Sequence, residues 1–273
     1  MADMTNILQT IAARTRERVA ERKDARSLAD VADAARALAE NELSTSGSFA
    51  FPFEEALRRP GMSFICEAKK ASPSKGVIAE DFPYLQIARD YEAAGAAAIS
   101  CLTEPYWFLG SDEYLRAIAQ EVSIPVLRKD FVVDEYMVYE AKTLGAAAVL
   151  LIVAILDDER LRSCVDLAHE LGMSALVEAY SEDEVPRALA AGARVVGVNN
   201  RDLRSFSVDF ENSTRLRGLV GADRLFVSES GVRTRDDIAR LEEAHVDAVL
   251  IGETLMRAED KAAMLAELRG DAR

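Results

Sequence analysis

The sequence predicts an α/β protein: a single (β/α)8 barrel of the TIM type with an N-terminal helical extension. Eight apolar, β-branched-rich runs each end in a polar or charged residue or a glycine turn, and a helix-like stretch follows each run. The run ends recur at roughly 22 to 35 residues, the length of a βα unit. Barrel enzymes place their chemistry at the C-terminal ends of such buried parallel strands. One pattern therefore predicts both the fold and the location of the site.

The predicted elements follow this pattern in order. The strand ends are Glu67-Ala68-Lys69, Thr103-Glu104, Lys129-Asp130, an apolar end near Val153, Glu178, Asn199-Asn200-Arg201, Ser228-Glu229-Ser230-Gly231 and Gly252-Glu253. Helical periodicity predicts helices near 83–94, 111–121, 134–144, 157–171, 181–191, 209–218, 233–244 and 258–269. A glycine closes four of these helices, since glycine adopts left-handed dihedrals readily. The four are Gly95, Gly145, Gly172 and Gly192, and His245 is a variant without glycine.

Residues 1–48 precede the barrel, which we assign to residues 49–273 of the same domain. They are expected to form two helices, the second opening at Ser27-x-x-Asp30. Two interpretations stay open at this point. The extension either plugs the barrel floor or makes an oligomer contact, or it covers the catalytic face and brings Arg14, Arg18 or Arg22 to it.

Composition limits the classes of function. The 273 residues are 49% hydrophobic and carry a formal charge of −14, so a nucleic-acid role would need a local basic stripe, which is not found. Cys66, Cys101 and Cys164 show no CxxC spacing, as expected of reduced cysteines in a cytoplasmic protein. We recognise no signal peptide or membrane span and expect no membrane partner.

The two histidines do not form a pattern typical of a metal site or a catalytic triad. His169 and His245 fall late in helical stretches and have no partner ligand at i+3 or i+4. We therefore expect no metal site and no histidine-based triad. Proton transfer is left to Lys, Glu, Asp or Tyr.

The strand ends supply such groups. Glu67 and Lys69 occupy alternate positions and so point to one side, into the barrel mouth. Each candidate also has a structural interpretation: an exposed strand-end charge for Lys69 and Lys129, a salt bridge for Glu178, a turn for Asn199 and Glu229. Delivery of all of them from five separate strands to one mouth favours a catalytic function.

The last two strands predict a phosphate site. Ser230-Gly231-Val232 and Ile251-Gly252-Glu253-Thr254-Leu255-Met256 place backbone N–H groups near a short helix, the usual phosphate position in barrels. The Glu253 carboxylate would repel phosphate unless its side chain turns outward while its amide points inward.

Several short fragments along the chain form a distinctive series: Phe53-Glu54-Glu55-Ala56-Leu57, Glu67 to Gly76, Phe108-Leu109-Gly110-Ser111, Arg128-Lys129-Asp130-Phe131, Val177-Glu178, Asn199 to Leu203, Val227 to Gly231 and Leu250 to Met256. Through these fragments the chain resembles, over nearly its whole length, the indole-3-glycerol phosphate synthase family, a barrel family of the tryptophan pathway. Seven or more such fragments in order are highly specific. The resemblance favours the cover interpretation of residues 1–48, while Glu253 departs from the serine of some members.

The resemblance implies a phosphorylated small-molecule substrate, 1-(2-carboxyphenylamino)-1-deoxyribulose 5-phosphate, and no cofactor, metal or redox step. Lys129 would be the general acid, with a pKa lowered toward neutrality by partial desolvation. Lys69 would bind the carboxylate or phosphate, and Glu178 would serve the dehydration. The resemblance implies that lysines and hydroxyls are oriented by Glu67, Asn199 and Glu229, and that anions and hydroxyls are contacted by Ser72, Arg201 and Ser230. It implies that the aromatic ring of the substrate is enclosed by Phe108, Phe131, Pro73 and Leu203. The phosphate would be held by Lys69 together with Ser230, Gly231, Leu250, Gly252 and Glu253.

Two other functions are compatible with the residues. A Schiff-base aldolase could form an imine on Lys129 or Lys69, which borohydride would trap. A phosphate-sensing barrel would bind its ligand without turnover, and the catalytic-type strand ends argue against it. We expect a monomer or a weak homodimer.

Overall fold

The computed structural model describes residues 7–202 and 206–271 and contains a closed barrel of eight parallel strands. In chain order the strands are β1 (Ser63–Ala68), a short antiparallel hairpin of β2 (Ala71–Ser72) and β3 (Gly76–Val77), β4 (Ala98–Leu102), β5 (Val126–Lys129), β6 (Ala148–Ile152), β7 (Ser174–Ala179), β8 (Val195–Asn199), β9 (Leu225–Glu229) and β10 (Ala248–Ile251). Around the barrel the order is β1-β10-β9-β8-β7-β6-β5-β4, and β4 pairs again with β1. The predicted (β/α)8 fold is confirmed.

Helices surround this barrel. They are α1 (Ile7–Ala25), α2 (Leu28–Ser46), α3 (Pro52–Leu57), α4 (Tyr84–Ala93), α5 (Asp112–Glu121), α6 (Glu135–Thr143), α7 (Asp158–Glu170), α8 (Glu184–Ala190), α9 (Glu211–Arg217), α10 (Arg235–Glu243), α11 (Glu253–Arg257) and α12 (Lys261–Arg269). Each of the eight helices predicted within the barrel encloses an observed one, with ends that agree within three residues. A 3-10 turn, Val153–Ile155, follows β6 at the apolar fourth strand end.

Left-handed residues end several helices. Gly95, Gly145, Gly172 and Gly192 all have φ between 73° and 90°. His245 takes the same left-handed region, with φ 57°, although a side chain is unfavourable there. The helix-to-strand turn is therefore the same at all five positions, as the sequence pattern predicted.

Helix α1 of the N-terminal extension is joined to the barrel by a buried ion pair. The guanidinium of Arg18 donates to both oxygens of Asp130, at 2.8 and 2.9 Å, directly after β5. Asp130 also accepts from Thr103 Oγ1 at 2.7 Å and from the Phe131 amide at 2.8 Å. Burial opposes ionisation of Asp130, but the charges of Arg18 and Arg128 outweigh it and lower the pKa of Asp130. The extension is thereby fixed to the C-terminal end of β5.

Of the three arginines of α1 considered above, Arg18 and Arg22 pair with barrel acids, and Arg14 pairs with Glu17 of its own helix. Arg22 pairs with Asp112 and Glu140, both at 2.5 Å, and Arg14 stacks 4.7 Å over the Tyr106 ring. None of Arg14, Arg18 and Arg22 lines the cavity described below. The expectation that they bring positive charge into the site is wrong, because the strand-end and helix acids neutralise them first.

A third helix, α3, covers the opposite end of the barrel and was not among the predicted helices. Its residue Glu54 accepts from Ser174 Oγ at 3.1 Å and pairs with Arg194 at 3.1 Å, at the starts of β7 and β8. Phe53 and Leu57 are buried beneath it. The floor is thus closed by residues 52–57, whereas α1 lies at the other end of the barrel, where Ile7, Leu8 and Ile11 line the cavity described below. Proline at its first position is a start signal that the sequence did offer.

Within the described residues, 7–202 and 206–271, no helix is both long enough and apolar enough to cross a lipid bilayer.

The Arg18–Asp130 pair predicts a specific stability loss. Arg18→Ala leaves a buried carboxylate without its main partner and should lower the free energy of unfolding by about 3 kcal/mol. Arg16→Ala, at an exposed position of the same helix, is the control and should change it by less than about 0.5 kcal/mol. Chemical denaturation measures both.

The same pair predicts a pH dependence. Because the folded-state pKa of Asp130 is lowered, its contribution is present above the unfolded-state value of about 4 and is lost as the pH falls through the lower folded-state value. The stability gap between wild type and Arg18→Ala should therefore narrow in acid. A gap that stays constant to low pH would contradict this role of the pair.

Candidate active site

A cavity of about 340 Å³ opens at the C-terminal ends of the barrel strands. The structure brings these sequence-predicted residues to its wall: Glu67, Lys69, Ser72, Pro73, Phe108, Lys129, Phe131, Glu178, Asn199, Arg201, Glu229, Ser230, Gly231, Leu250, Gly252 and Glu253. Leu203 lies outside the described residues. Side chains from strands far apart in sequence therefore share one cavity, and their individual roles remain predictions.

Lys129 lies between two carboxylates at the centre of this wall. Its Nζ is 3.4 Å from Glu229 Oε2 and 3.6 Å from Glu178 Oε2. The Lys129 side chain is 15% exposed, whereas Glu178 is 4% and Glu229 1% exposed. The ammonium is thus the most exposed group of this set of three, here called the Lys129 cluster, and both carboxylates also line the cavity.

The electrostatics of the cluster differ from the sequence-based expectation. Burial alone would lower the pKa of Lys129, but the charges of Glu229, Glu178 and Glu67 more than compensate and raise it. The predicted shift toward neutrality is wrong, because three carboxylates from other strands converge on this lysine. Lys129 therefore holds its proton across the neutral range.

For Glu229, unlike Lys129, the attraction to the opposite charge does not outweigh the effect of burial on the pKa. Burial and the nearby charge of Glu178 raise its pKa, against the lowering effect of Lys129. Among the described residues, neither carboxylate oxygen accepts a hydrogen bond from a backbone amide or a hydroxyl. A Cβ at Gly197, on the neighbouring β8, would overlap Glu229 Oε1. Glycine is required at that position so that the carboxylate fits beside the lysine.

A second pair stands beside this cluster at the end of β1. Lys69 Nζ is 2.5 Å from Glu67 Oε2, and both side chains face the cavity as their alternate positions predicted. Burial opposes ionisation of Glu67, but Lys69 and Lys129 together lower its pKa. A Cβ at Gly252 would overlap the Glu67 carboxylate and lie 2.7 Å from Lys69 Nζ. Glycine at the end of β10 is therefore also a space requirement of the site.

Two aromatic rings form an apolar wall. The ring centroids of Phe108 and Phe131 are 5.9 Å apart and tilted by 40°. The loop that carries Phe108 is held by Glu104, whose buried carboxylate accepts from the amides of Tyr106, Trp107 and Phe108 at 3.0, 2.7 and 3.0 Å. The strand-end Glu104 thus orders the loop that presents the ring.

The opposite end of the cavity carries two backbone bends. Ser230 and Gly231 have φ of 68° and 93°, and Gly252 precedes the short α11. The Glu253 side chain pairs with Lys75 at 3.3 Å and with Arg257 at 3.1 Å. Burial opposes ionisation of Glu253, but Arg257 and Lys75 outweigh it and lower its pKa. The expected conflict between this carboxylate and an anion is reduced by the two cations.

Sequence reasoning missed several lining residues. They include Ile7, Leu8 and Ile11 of α1, Leu102, Leu150 and Ile152 of the barrel, and Arg233 and Arg257 near the bends. The barrel residues could have been found from period-two alternation along their strands. The α1 contacts could not, since they depend on how the extension docks.

The sequence of the chain is similar to those of known proteins. A model of the family described as indole-3-glycerol phosphate synthase matches residues 8–268. The indole-3-glycerol phosphate synthase of Ruminiclostridium cellulolyticum is 54% identical over 266 residues, which cover 97% of this chain and 100% of that protein. The one from Lacticaseibacillus paracasei is 48% identical over 263 residues, covering 96% and 98%.

Solved structures show a shared fold at low identity. The 3-hexulose-6-phosphate synthase from Salmonella typhimurium superposes with a TM-score of 0.63 at 14% identity, over 77% of this chain and 97% of that chain. This likeness concerns the barrel alone.

The raised pKa of Lys129 can be measured without turnover. Trace acetylation across a pH series, quantified by mass spectrometry, should give Lys129 a midpoint above the pKa of about 10.4 of a free lysine side chain. Glu229→Gln removes a neighbouring negative charge and should move the Lys129 midpoint to lower pH. A Lys129 midpoint below that of a free lysine side chain would overturn the description of the cluster.

Proposed function

The chain belongs to the indole-3-glycerol phosphate synthase family, and we propose that the Lys129 cluster carries out the proton transfers of its reaction. The enzyme is a carboxy-lyase of tryptophan biosynthesis. It converts 1-(2-carboxyphenylamino)-1-deoxyribulose 5-phosphate into indole-3-glycerol phosphate, with release of carbon dioxide and water. The observation that carries the assignment of roles is the position of Lys129 between Glu178 and Glu229 inside the cavity, where these carboxylates raise the lysine's pKa.

The substrate spans the cavity from the aromatic wall to the bends. Its phosphate binds at Ser230–Gly231 and Gly252–Glu253, where backbone amides and nearby cations favour an anion. Its aromatic ring lies against Phe108, Phe131 and Pro73. Leu203 is also expected in this wall from the family resemblance. In this orientation the ketone reaches the middle of the cavity, beside Lys129.

Ring closure needs an electrophile stronger than a free ketone. Lys129 donates a proton to the carbonyl oxygen as the ring carbon that bears the carboxylate attacks the carbonyl carbon. The new carbon–carbon bond forms, and the carbonyl oxygen becomes a hydroxyl. General-acid help of this kind contributes about 10²–10⁴-fold to the rate. Loss of carbon dioxide then returns the electron pair to the ring.

Dehydration completes the indole. The hydroxyl leaves as water after protonation, and a proton is lost from the adjacent carbon. Glu178, which contacts the Lys129 ammonium at 3.6 Å, exchanges these protons. Glu229 keeps the lysine oriented from its other side. The carboxylates of Glu178 and Glu229 have different surroundings. This difference suits Glu178 to exchange protons and Glu229 to position the lysine.

The remaining polar residues bind and orient. Lys69, held by Glu67, pairs with the substrate's carboxylate or phosphate. Asn199 and Arg201 contact substrate hydroxyls, together with Ser72 and Ser230. Helix α1 covers the cavity through Ile7, Leu8 and Ile11, which limits access of water to the charged intermediates.

The alternative of an imine-forming lysine is less well supported. A lysine must lose its proton before it attacks a ketone. The carboxylates around Lys129 raise its pKa and oppose that step. The same charge favours proton donation to the substrate instead.

The proposed role of Lys129 predicts a selective loss of turnover. Wild-type protein given the anilino-deoxyribulose phosphate should develop indole fluorescence. Lys129→Gln should lower kcat by about 100-fold or more, with KM within about threefold, because the lost interaction acts on the transition state.

Lys142 provides a matched control. It is also a buried lysine in an ion pair, 2.7 Å from Glu42, but it lies on α6 away from the cavity. Lys142→Gln should keep kcat near the wild-type value. Near-normal turnover in folded Lys129→Gln would refute the acid role, and absence of turnover in folded wild type would refute the function.

A further inference from the structure

The bend that follows β9 has an unfavourable backbone conformation. Ser230, which is not a glycine, has φ 68°, and Gly231 follows with φ 93°. Left-handed dihedrals at a residue with a Cβ persist only where surrounding contacts hold them. A Cβ at Gly231 would also lie 3.0 Å from Val208 and 3.2 Å from Phe210. Surrounding contacts must therefore hold this bend in place.

Asn200 makes the principal contact with the bend. Its Nδ2 donates to the carbonyl oxygen of Ser230 at 3.0 Å and to Ser228 Oγ at 3.2 Å. Its Oδ1 accepts from the amide and the hydroxyl of Ser213, at 2.9 and 2.8 Å. Asn200 is completely buried, and both ends of its carboxamide are satisfied. It does not line the cavity.

The network around Asn200 is anchored on several elements. Its backbone amide donates to the Glu229 carbonyl at 2.9 Å, and Ser228 Oγ donates to Ser213 Oγ at 2.8 Å. These bonds join the ends of β8 and β9 to α9. A carboxamide in such a fixed position can set the direction of the Ser230 carbonyl.

The other side of the bend is held by a different residue. Thr254 Oγ1 of α11 donates to the Val232 carbonyl at 2.7 Å. The carbonyls of Ser230 and Val232 are thus both engaged. The amides of Gly231 and Val232 donate to no backbone carbonyl within residues 7–202 and 206–271. A bend whose carbonyls are bonded and whose amides remain available is suited to bind an anion.

We propose that Asn200 is a positioning residue for the substrate phosphate: it holds the Ser230–Gly231 bend in its anion-binding conformation without touching the substrate. The proposal rests on the proposed function, because it assigns the phosphate to this bend. It predicts that loss of the carboxamide weakens phosphate binding far more than it slows the chemical steps at Lys129.

Two substitutions test it. Asn200→Ala removes the clamp, and the near-isosteric Asn200→Asp keeps an acceptor for Ser213 but loses the donor to Ser230. Either should raise KM for the phosphorylated substrate about tenfold or more and weaken binding of inorganic phosphate, measured by calorimetry, by a similar factor. The value of kcat should stay within about threefold.

Asn212 supplies the matched control. It is another fully buried asparagine, and its Nδ2 donates to the carbonyls of Tyr180 and Asn199 but not to the bend. Asn212→Ala should leave the affinity for inorganic phosphate within about twofold. An equal loss in Asn212→Ala would show a general structural effect and would overturn the proposal.

A double-mutant cycle isolates the backbone mechanism. In a Ser230→Gly background the bend no longer carries a strained side chain, since glycine adopts positive φ readily. Asn200→Ala should then cost clearly less phosphate affinity than it does in wild type, and an equal cost in both backgrounds would refute positioning through the bend. If wild type turns over and binds phosphate while both Asn200 variants bind it equally well, this proposal fails and the proposed function stands. Absence of wild-type turnover is the separate failure of the function.

Discussion

The structure depends on one electrostatic arrangement: a lysine ammonium held between carboxylates inside a barrel mouth. Lys129 comes from β5, while Glu178 and Glu229 come from β7 and β9, so the arrangement exists only when the barrel closes in register. Buried charges are costly unless opposite charges answer them. The cluster meets this condition with one ammonium shared by two acids, and this sharing keeps the lysine charged and accessible to a ligand.

Space for these charged groups is created by absent side chains. Gly197 leaves room for the Glu229 carboxylate, and Gly252 leaves room for the Glu67–Lys69 pair. Supporting residues fix the rims of the cavity: Asp130, which also lines it, joins Arg18 of α1 to the end of β5, and Asn200 holds the bend after β9 from outside it. The groups that face the cavity are therefore held in place by neighbouring side chains, as a preorganised site requires.

Much of this could be predicted from the sequence because its signals are local. Strand ends, helix spans and the left-handed His245 follow from patterns within a few residues, and the residues expected in the mouth lie there except Leu203, which is outside the described part. The raised pKa of Lys129 and the pairing of Arg18 with Asp130 could not be predicted. Both depend on distances between segments far apart in sequence, which the barrel register and the docking of α1 determine.

The most direct test of the central claim is a crystal structure with an unreactive substrate analogue in which the ketone is reduced to an alcohol. That hydroxyl takes the place of the carbonyl oxygen that Lys129 is proposed to protonate. The account predicts the hydroxyl within hydrogen-bond distance of Lys129 Nζ, with the phosphate at the bends of Ser230–Gly231 and Gly252. A hydroxyl bound by Lys69 instead, or a phosphate held away from both bends, would contradict it.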